Sequence, residues 1–179
     1  NIIIGQQADC SSTSASNEIT LGNSNITRFR VPGLTFDIQP TAATLNGLDL
    51  TGLLREAVTV TAGKLSDNTN IDLADGNVHY FTTNETASST PNLRFSSSVN
   101  LNTVMSVGET IAVTIITSTN NSNYFSAQLT IDGNGVTENW VGGSAPSDGG
   151  TSGVDIYTYN IIKTADATFT VIANQTKTS

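Results

Sequence analysis

The sequence predicts an all-β protein: a short β-roll-like or β-helix-like stem followed by a β-sandwich of jelly-roll type. The first observation is a series of short runs in which apolar and polar residues alternate, separated by turn residues at a spacing of about 8–12 residues. The second is composition, because Asn, Ser, Thr and Gly dominate and charged residues make up 12% of the chain, about half the usual share. The third is that no stretch follows the period of a long helix.

The stem is predicted at residues 1–34 from a short sequence motif that occurs twice. Residues 2–5 read IIIG and residues 19–22 read ITLG, each followed by small polar residues. Glycine allows the sharp corner that a β-roll needs after each short strand. Because two coils cannot bury a core by themselves, we expect upstream coils or sister chains to complete the stem.

A connector is predicted at residues 35–56, ahead of the β-sandwich at residues 57–179. The connector contains Pro40, Gly47 and Gly52, which interrupt regular structure. Residues 51–56 (TGLLRE) are compatible with a single helical turn. We therefore expect the connector to run over the surface of the domain that follows it.

The β-sandwich is predicted as a succession of short strands. The clearest alternation runs through residues 124–131, where every second residue is apolar and is expected to face inward. Residues 132–135 (DGNG) accept positive φ angles and predict a tight hairpin turn. The other predicted strands lie at 58–60, 71–73, 78–83, 93–101, 111–117, 154–162 and 168–173.

Charge and cysteine content exclude several classes of function. The net charge is -8, with seven Lys and Arg against fifteen Asp and Glu, so no basic patch for nucleic acid or an anionic membrane is expected. No run approaches the roughly 20 apolar residues of a membrane helix, and no membrane insertion is expected. One cysteine, Cys10, excludes an intrachain disulfide framework. The chain opens with Asn1 rather than Met, so we expect it to continue upstream.

The residues that carry catalysis or bind metal are sparse, and the sequence predicts no enzyme and no cofactor. The single histidine, His79, lies in a strand-like run and is expected to be partly exposed, and no Gly-x-Ser-x-Gly motif is present. The carboxylates are scattered, which disfavours a glycosidase pair. Residues 67–72 and 75–77 offer oxygen ligands, but the EF-hand pattern fails, and we interpret them as turns that bond their own backbone. No catalytic or metal residues are predicted, although calcium at these turns stays open.

Two loops are the candidates for a binding surface, because loops on a rigid β scaffold commonly carry recognition. One is residues 142–153, which follows the only tryptophan, and the other is residues 118–124. An aromatic ring beside polar loops can stack on a sugar, although the pattern favours a role for the tryptophan in closing one end of the core. Two tyrosines, at 157 and 159, share a strand face and are a further candidate surface. The predicted binding residues are Trp140, Tyr124, Asn121, Ser144 and Asp148.

Several stretches of the chain resemble phage virion structural proteins. Residues 17–34 (NEITLGNSNITRFRVPGL) resemble the stem segment of phage tail-fibre proteins, and residues 1–8 (NIIIGQQA) are similar to coils of that family and to β-roll heads of trimeric adhesins. Residues 103–108 (TVMSVG), 139–164 and 167–177 resemble a C-terminal domain of virion proteins from marine cyanophages and related phages. These stretches leave mainly the region 35–60 unaccounted for.

The resemblance implies a homotrimer on the extracellular surface of the virion, with other virion proteins upstream of residue 1. It implies the distal part of a tail or side fibre that adheres to host surface polysaccharide, and it carries over no catalytic residues. A threefold fibre would also supply the sister chains that the stem requires. The alternatives are a head fibre or capsid decoration protein without a receptor role, and a glycan-cleaving tailspike domain.

Overall fold

The chain forms two compact units, residues 1–51 and 52–179. The computed structural model describes residues 1–5, 8–14, 16, 18–21 and 55–179. The predicted connector at 35–56 and the helical turn at 51–56 therefore lie almost entirely outside the described residues. The same holds for most of the fibre-like segment at 17–34.

In the first unit, the strands formed by the two copies of the stem motif pair with each other. Strand β1 (Ile2–Ile4) lies parallel to β2 (Ile19–Leu21), with Ile2 opposite Ile19. Parallel pairing of successive strands is the arrangement expected of stacked coils. Their isoleucine side chains remain uncovered, with exposed fractions of 42–65%. Among the described residues of the first unit, these isoleucines are therefore not part of a buried core.

The second unit contains ten strands and very little helix. A four-residue helix, α1 (Leu101–Val104), and two single 3-10 turns at Leu65–Asp67 and Leu73–Asp75 are its helical parts among the described residues. The prediction of an all-β fold is confirmed. The strands are β3 (Val58–Thr61), β4 (Asn70–Asp72), β5 (Val78–Phe81), β6 (Asn92–Arg94), β7 (Thr110–Ser118), β8 (Thr130–Ile131), β9 (Asn134–Gly135), β10 (Glu138–Trp140), β11 (Val154–Ala165) and β12 (Thr168–Lys177).

The chain alternates between two sheets as it passes from β3 to β8. One sheet has six strands in the order β10-β12-β11-β7-β5-β3, and the other has four in the order β4-β6-β8-β9. The ladders β3-β5-β7 and β4-β6-β8 are parallel. Successive pairs of strands thus form three coils, and the long antiparallel hairpin β11–β12 continues the larger sheet beyond β7.

This topology differs from the jelly-roll arrangement expected for residues 57–179. A jelly roll is built from antiparallel neighbours, whereas the coils from β3 to β8 are stacked in parallel. Two layers around one core are nevertheless present, since buried residues of both sheets belong to a single cluster. Alternating hydrophobicity identifies the faces of a strand but not the direction of its neighbour, so the sequence pattern did not distinguish the two topologies.

The smaller sheet stacks equivalent residues of the three coils on top of one another. Ile71, Leu93 and Ile131 are in register and are almost completely buried. They face the buried side chains of the larger sheet, which include Phe81 and Ile115. Apolar burial of this kind contributes roughly 1.5–3 kcal/mol for each large side chain, and the in-register rows hold the two layers together.

A row of polar side chains runs beside this apolar row. Asn92 Nδ2 donates to Asn70 Oδ1 at 2.8 Å, and Asn92 Oδ1 accepts from Thr130 Oγ1 at 3.0 Å. The same oxygen accepts from the Gly133 N–H at 2.7 Å. Asn92 therefore links all three coils of the smaller sheet, in the manner of side-chain ladders in stacked parallel strands.

The predicted hairpin at residues 132–135 is present. Strands β8 and β9 pair antiparallel, and Asp132 and Gly133 have φ angles of 52° and 79°, as a two-residue turn of this type requires. The Asp132 carboxylate has a second role, because it accepts from the N–H groups of Leu101 (2.7 Å) and Asn102 (2.9 Å) at the start of α1. This contact satisfies two donors that a helix leaves free at its N-terminus.

The predicted strand at 93–101 is mostly wrong. Strand β6 ends at Arg94, and the chain then turns into α1. The hydroxyl of Ser96 accepts from the N–H groups of Ser98 and Val99, which gives the backbone a local alternative to a strand. The even spacing of apolar residues in this stretch was therefore a coincidence of composition.

The alternation at 124–131 also produces less strand than predicted. Only Thr130–Ile131 is a strand, and Ser126 is buried while Phe125 and Ala127 are half-buried. In this segment, backbone N–H groups bond to side chains instead of to a neighbouring strand. The Ser126 N–H donates to the Tyr157 hydroxyl, and the Leu129 N–H donates to the Glu138 carboxylate on β10. Leu129 and Ile131 do face inward, as expected.

Removal of the Asn92 side chain is expected to destabilise the second unit. Asn92→Ala removes the acceptor of the Gly133 N–H, the nearer of two acceptors of the Thr130 hydroxyl, and the link to Asn70. The loss should lower the free energy of unfolding by about 1–2 kcal/mol. Urea denaturation followed by circular dichroism measures this change. The control is Asn100→Ala, because Asn100 is exposed and its side chain caps no helix, and we expect a change within about 0.5 kcal/mol. Equal effects of the two substitutions would contradict the role of the ladder.

Candidate functional site

A groove of about 570 Å³ lies beside β10 and is a candidate binding site. Trp140 and Glu138, two residues apart on β10, belong to its lining together with Ser144 of the following loop. Side chains two apart in a strand point to the same face, so β10 presents an aromatic ring and a carboxylate together. The lining consists of Ala127, Gln128, Val136, Thr137, Glu138, Asn139, Trp140, Gly143, Ser144 and Ala145.

The indole of Trp140 is held by the core on one side. Trp140 is half-buried and packs against the hydrophobic cluster. Its ring meets the ring of Tyr159 edge-on, with centroids 6.4 Å apart and planes at 72°, which is a favourable aromatic geometry. Trp140 thus both covers the end of the core and contributes to the groove, combining the two roles considered for it from sequence.

Two neighbours of Trp140 position the strand that carries it. Glu138 uses one carboxylate oxygen to accept from the Leu129 N–H, which joins β10 to the segment before β8. Asn139 Nδ2 donates to the Val171 carbonyl of β12 at 3.0 Å. The pairing of Trp140 opposite Ala173 continues the ladder to β12. The floor of the groove is therefore fixed by the sheet rather than by loops alone.

A glycine turn forms the rim of the groove next to Trp140. The Gly143 N–H donates to the Trp140 carbonyl at 3.0 Å. Gly142 and Gly143 have φ angles of 91° and 88°, a conformation that side-chain-bearing residues rarely adopt. This turn directs the chain so that exposed Ser144 lines the groove.

The other three predicted binding residues lie where the 118–124 loop meets the later part of the 142–153 loop, away from Ser144. The Gly149 N–H donates to the Ser122 carbonyl at 2.7 Å, and the Tyr124 N–H donates to the Asn121 carbonyl at 3.2 Å. Asp148 accepts from the Lys177 ammonium group at 2.7 Å. Asn121, Tyr124 and Asp148 are therefore close to one another, but none of them lines the groove that contains Trp140 and Ser144.

Asp155, on β11, fixes the position at which the 118–124 and 142–153 loops meet. It is fully buried on β11, and its two carboxylate oxygens accept from the Gly150 N–H at 2.9 and 3.1 Å. Burial raises the pKa of Asp155, while the Gly150 N–H and nearby Lys177 act in the opposite direction. The packing leaves no room for a side chain at position 149, where a Cβ would lie 2.6 Å from the Tyr124 carbonyl oxygen.

The two tyrosines that were a candidate surface are part of the core instead. Tyr157 and Tyr159 are each 1% exposed, so the suggestion of an exposed pair is wrong. The Tyr157 hydroxyl contacts the Ser126 N–H and Gln175 Nε2, and burial raises the pKa of both phenols. Strand alternation placed them on one face correctly, but it could not say that this face was the inner one.

His79 is likewise buried rather than partly exposed. Its Nε2 lies 2.9 Å from the Gly76 carbonyl oxygen, and its burial lowers the pKa of the imidazole. The acidic turns nearby are occupied by ordinary contacts: Asp67 pairs with Lys64, and Asp72 pairs with Arg94. Across the described parts of the chain, no cluster of three or more His, Cys, Asp or Glu side chains could hold a metal ion.

Most of the residues that line the groove are not predicted from the sequence. Glu138 could have been found, because it shares a strand face with Trp140 by simple alternation. Gln128, Ala127 and Val136 reach the groove through the fold of the 125–136 segment, which carries no local signal of that position. Among the described residues, no helix is long and apolar enough to cross a membrane.

Comparisons of the chain with protein-family models, with curated proteins and with solved structures find no match.

Neutralisation of Asp155 is expected to change how stability depends on pH. Because the folded-state pKa is raised, the protonated carboxyl group is the form that the fold favours. Its contribution is fully present below the unfolded pKa of about 3.9 and is lost as pH rises through the folded-state value. Asp155→Asn resembles the protonated form and keeps an acceptor for the Gly150 N–H. The stability of this variant relative to the native chain should therefore increase from pH 3 to pH 7.

Urea denaturation at a series of pH values measures this difference. The control is Asp67→Asn, because Asp67 has a side chain that is 63% exposed and pairs only at the surface. A difference between Asp155→Asn and the native chain that stays constant, or that decreases with rising pH, would contradict the assignment.

Proposed function

We propose that this chain is a non-catalytic structural protein of a phage virion, the distal part of a homotrimeric tail or side fibre. In this proposal the groove beside Trp140 contacts host-surface glycan. The observation that supports it best is the groove itself, where a half-buried indole lies beside Glu138, Asn139 and Ser144. An aromatic face with polar groups around it suits a sugar ring, which has apolar C–H faces and a rim of hydroxyls.

The rigidity of the groove favours recognition of a surface over binding that requires closure. Trp140 is packed against Tyr159 and its strand is paired with β12. A preorganised site avoids part of the entropy that binding would otherwise lose. Since the groove is open to solvent and its lining mixes polar and apolar surface, single-site affinity for glycan is expected to be weak. Three copies in one fibre would strengthen attachment through multivalency.

The lining of the groove also favours binding over cleavage. Glycoside hydrolysis normally uses a pair of carboxyl groups on either side of the scissile bond. Glu138 is the single carboxylate among the lining residues, and one of its oxygens already accepts from the Leu129 N–H. These features support a proposal without catalysis.

Trp140 provides its own readout for glycan binding, since it is the only tryptophan in the chain. Stacking of a sugar on the indole is expected to shift or quench its fluorescence. The experiment titrates the 179-residue chain with a panel of purified bacterial lipopolysaccharides and capsular polysaccharides. At least one member of the panel should give a saturable change.

Two arginine substitutions separate groove binding from general effects of charge. Ser144→Arg fills the groove and should weaken binding by at least about tenfold, or 1.4 kcal/mol. Ser147→Arg adds the same charge at an exposed position of the same loop that does not line the groove, and binding should be unchanged. A panel that leaves the fluorescence unchanged, or equal affinities of the two variants, would contradict the proposal.

A further inference from the structure

We propose that the outer face of the six-stranded sheet is the surface through which copies of this chain assemble. The inference deepens the proposed function and rests on it, because it assigns the subunit contact of the proposed homotrimer. The observation that carries it is the position of charge within the sheet. Along the six strands, all of which lie in the described region, no Asp, Glu, Lys or Arg occupies an outward position.

The inward positions follow from register and burial. Residues in register with buried Val113, Ile115 and Tyr159 form the inner face. Every Asp, Glu, Lys and His residue of these six strands occupies a position on the inner face. They are His79, Glu138, Asp155, Lys163 and Lys177.

Each inward charged or imidazole group has a local partner, which explains how the inner face tolerates it. Lys163 is buried and donates to the carbonyl groups of Asn102 (2.6 Å) and Met105 (2.8 Å) around α1. Lys177 pairs with Asp148. Buried charges are stable only when paired or hydrogen-bonded, and Lys163 meets this requirement through the carbonyl groups near α1. Lys177 is exposed, and its ion pair joins the end of β12 to the loop that carries Asp148.

The outer face, in contrast, carries a continuous apolar row. Val60, Tyr80, Ile116 and Ile156 are in register across four neighbouring strands. Val58 and Val78 form a second pair beside the row. The remaining outward positions of the sheet are mainly threonine, asparagine, alanine and isoleucine.

A sheet with one face in water usually carries both polar and charged residues on that face. Here the outer face has threonine and asparagine but no charge, and an apolar row crosses it. None of the four side chains in the apolar row is buried, and Val60 is 63% exposed. On the opposite side of the same face, Ile172 is 40% exposed. Val60 is thus exposed, while Tyr80, Ile116 and Ile156 are half-buried. A partly exposed apolar row without flanking charges is a candidate interaction surface.

The occupant that we assign to this face is a second copy of the chain, as the proposed homotrimer requires, and the charge of the chain favours this face for the contact. Two copies, each with a net charge of -8, repel each other wherever acidic surfaces meet. The outer face is where they can approach without opposing like charges, and depletion of charge at the centre is typical of protein–protein interfaces. Strands β7, β11 and β12 alone give a patch roughly 30 Å long at ~3.3 Å per residue and ~4.8 Å between strands, which is large enough to contribute to a subunit contact.

A matched pair of substitutions tests this surface. Val60→Glu places a charge on the outer face, and Val107→Glu makes the same change at 61% exposure in the turn before β7, outside the six strands. Sedimentation velocity and light scattering of the 179-residue chain measure assembly, and circular dichroism measures folding. We expect the native chain and Val107→Glu to assemble alike. Val60→Glu should raise the concentration at half assembly by at least about tenfold with an unchanged spectrum.

The possible outcomes separate this inference from the proposed function. If Val60→Glu and Ile172→Glu both assemble like the native chain, the outer face is not the contact, while the proposed fibre role stands. If the native chain stays monomeric at every concentration, the inference and the proposed homotrimer both fail. Such a monomer would indicate that another segment of the chain covers the face or that it contacts a different protein. Glycan binding by Trp140 is measured separately and is not affected by either result.

Discussion

The two-residue period of a β-strand is the constraint on which the rest of the second unit depends. It assigns every side chain of the six-stranded sheet to one of two faces, and it assigns the charged ones to the inner face. There they form hydrogen bonds with neighbouring segments. Asp155 accepts from the Gly150 N–H, Lys163 donates to a carbonyl next to α1, and Glu138 accepts from the Leu129 N–H before β8. The loops next to the sheet are therefore positioned by these polar contacts, while the outer face is left without charge and is crossed by one apolar row.

The candidate binding groove is a consequence of the same arrangement. Trp140 reaches it because β10 adds to the edge of the sheet beyond β12, in parallel register. The contact between Glu138 and the Leu129 N–H brings the 127–128 backbone to the opposite wall. One side of the indole belongs to the core and the other to the groove, so the stability of the fold and the shape of the site are coupled. A site built in this way is rigid, which suits repeated weak contacts with an extended surface.

The sequence predicted the all-β class, the hairpin at 132–135 and the long strands β7, β11 and β12, because these depend on local alternation and on residues that accept positive φ. It did not predict the parallel stacking of the coils, since pairing direction is decided by neighbours distant in sequence. It misplaced Tyr157 and His79 for a related reason: alternation separates two faces but does not say which is inner. Of the predicted binding residues, Trp140 and Ser144 come together in one groove because they are near in sequence. Asn121, Tyr124 and Asp148 are brought together elsewhere by buried Asp155, a long-range contact without a local signature.

The first unit shows a similar excess of uncovered apolar surface, since the isoleucines of β1 and of β2 lie exposed on a pair of short parallel strands. Each unit separately carries apolar side chains that one copy leaves in contact with solvent. The most direct test of this account is a density map of the assembled protein at side-chain resolution. The account predicts that the row Val60, Tyr80, Ile116 and Ile156 is covered by a neighbouring copy. A map in which this row faces solvent while copies touch through another surface would contradict it.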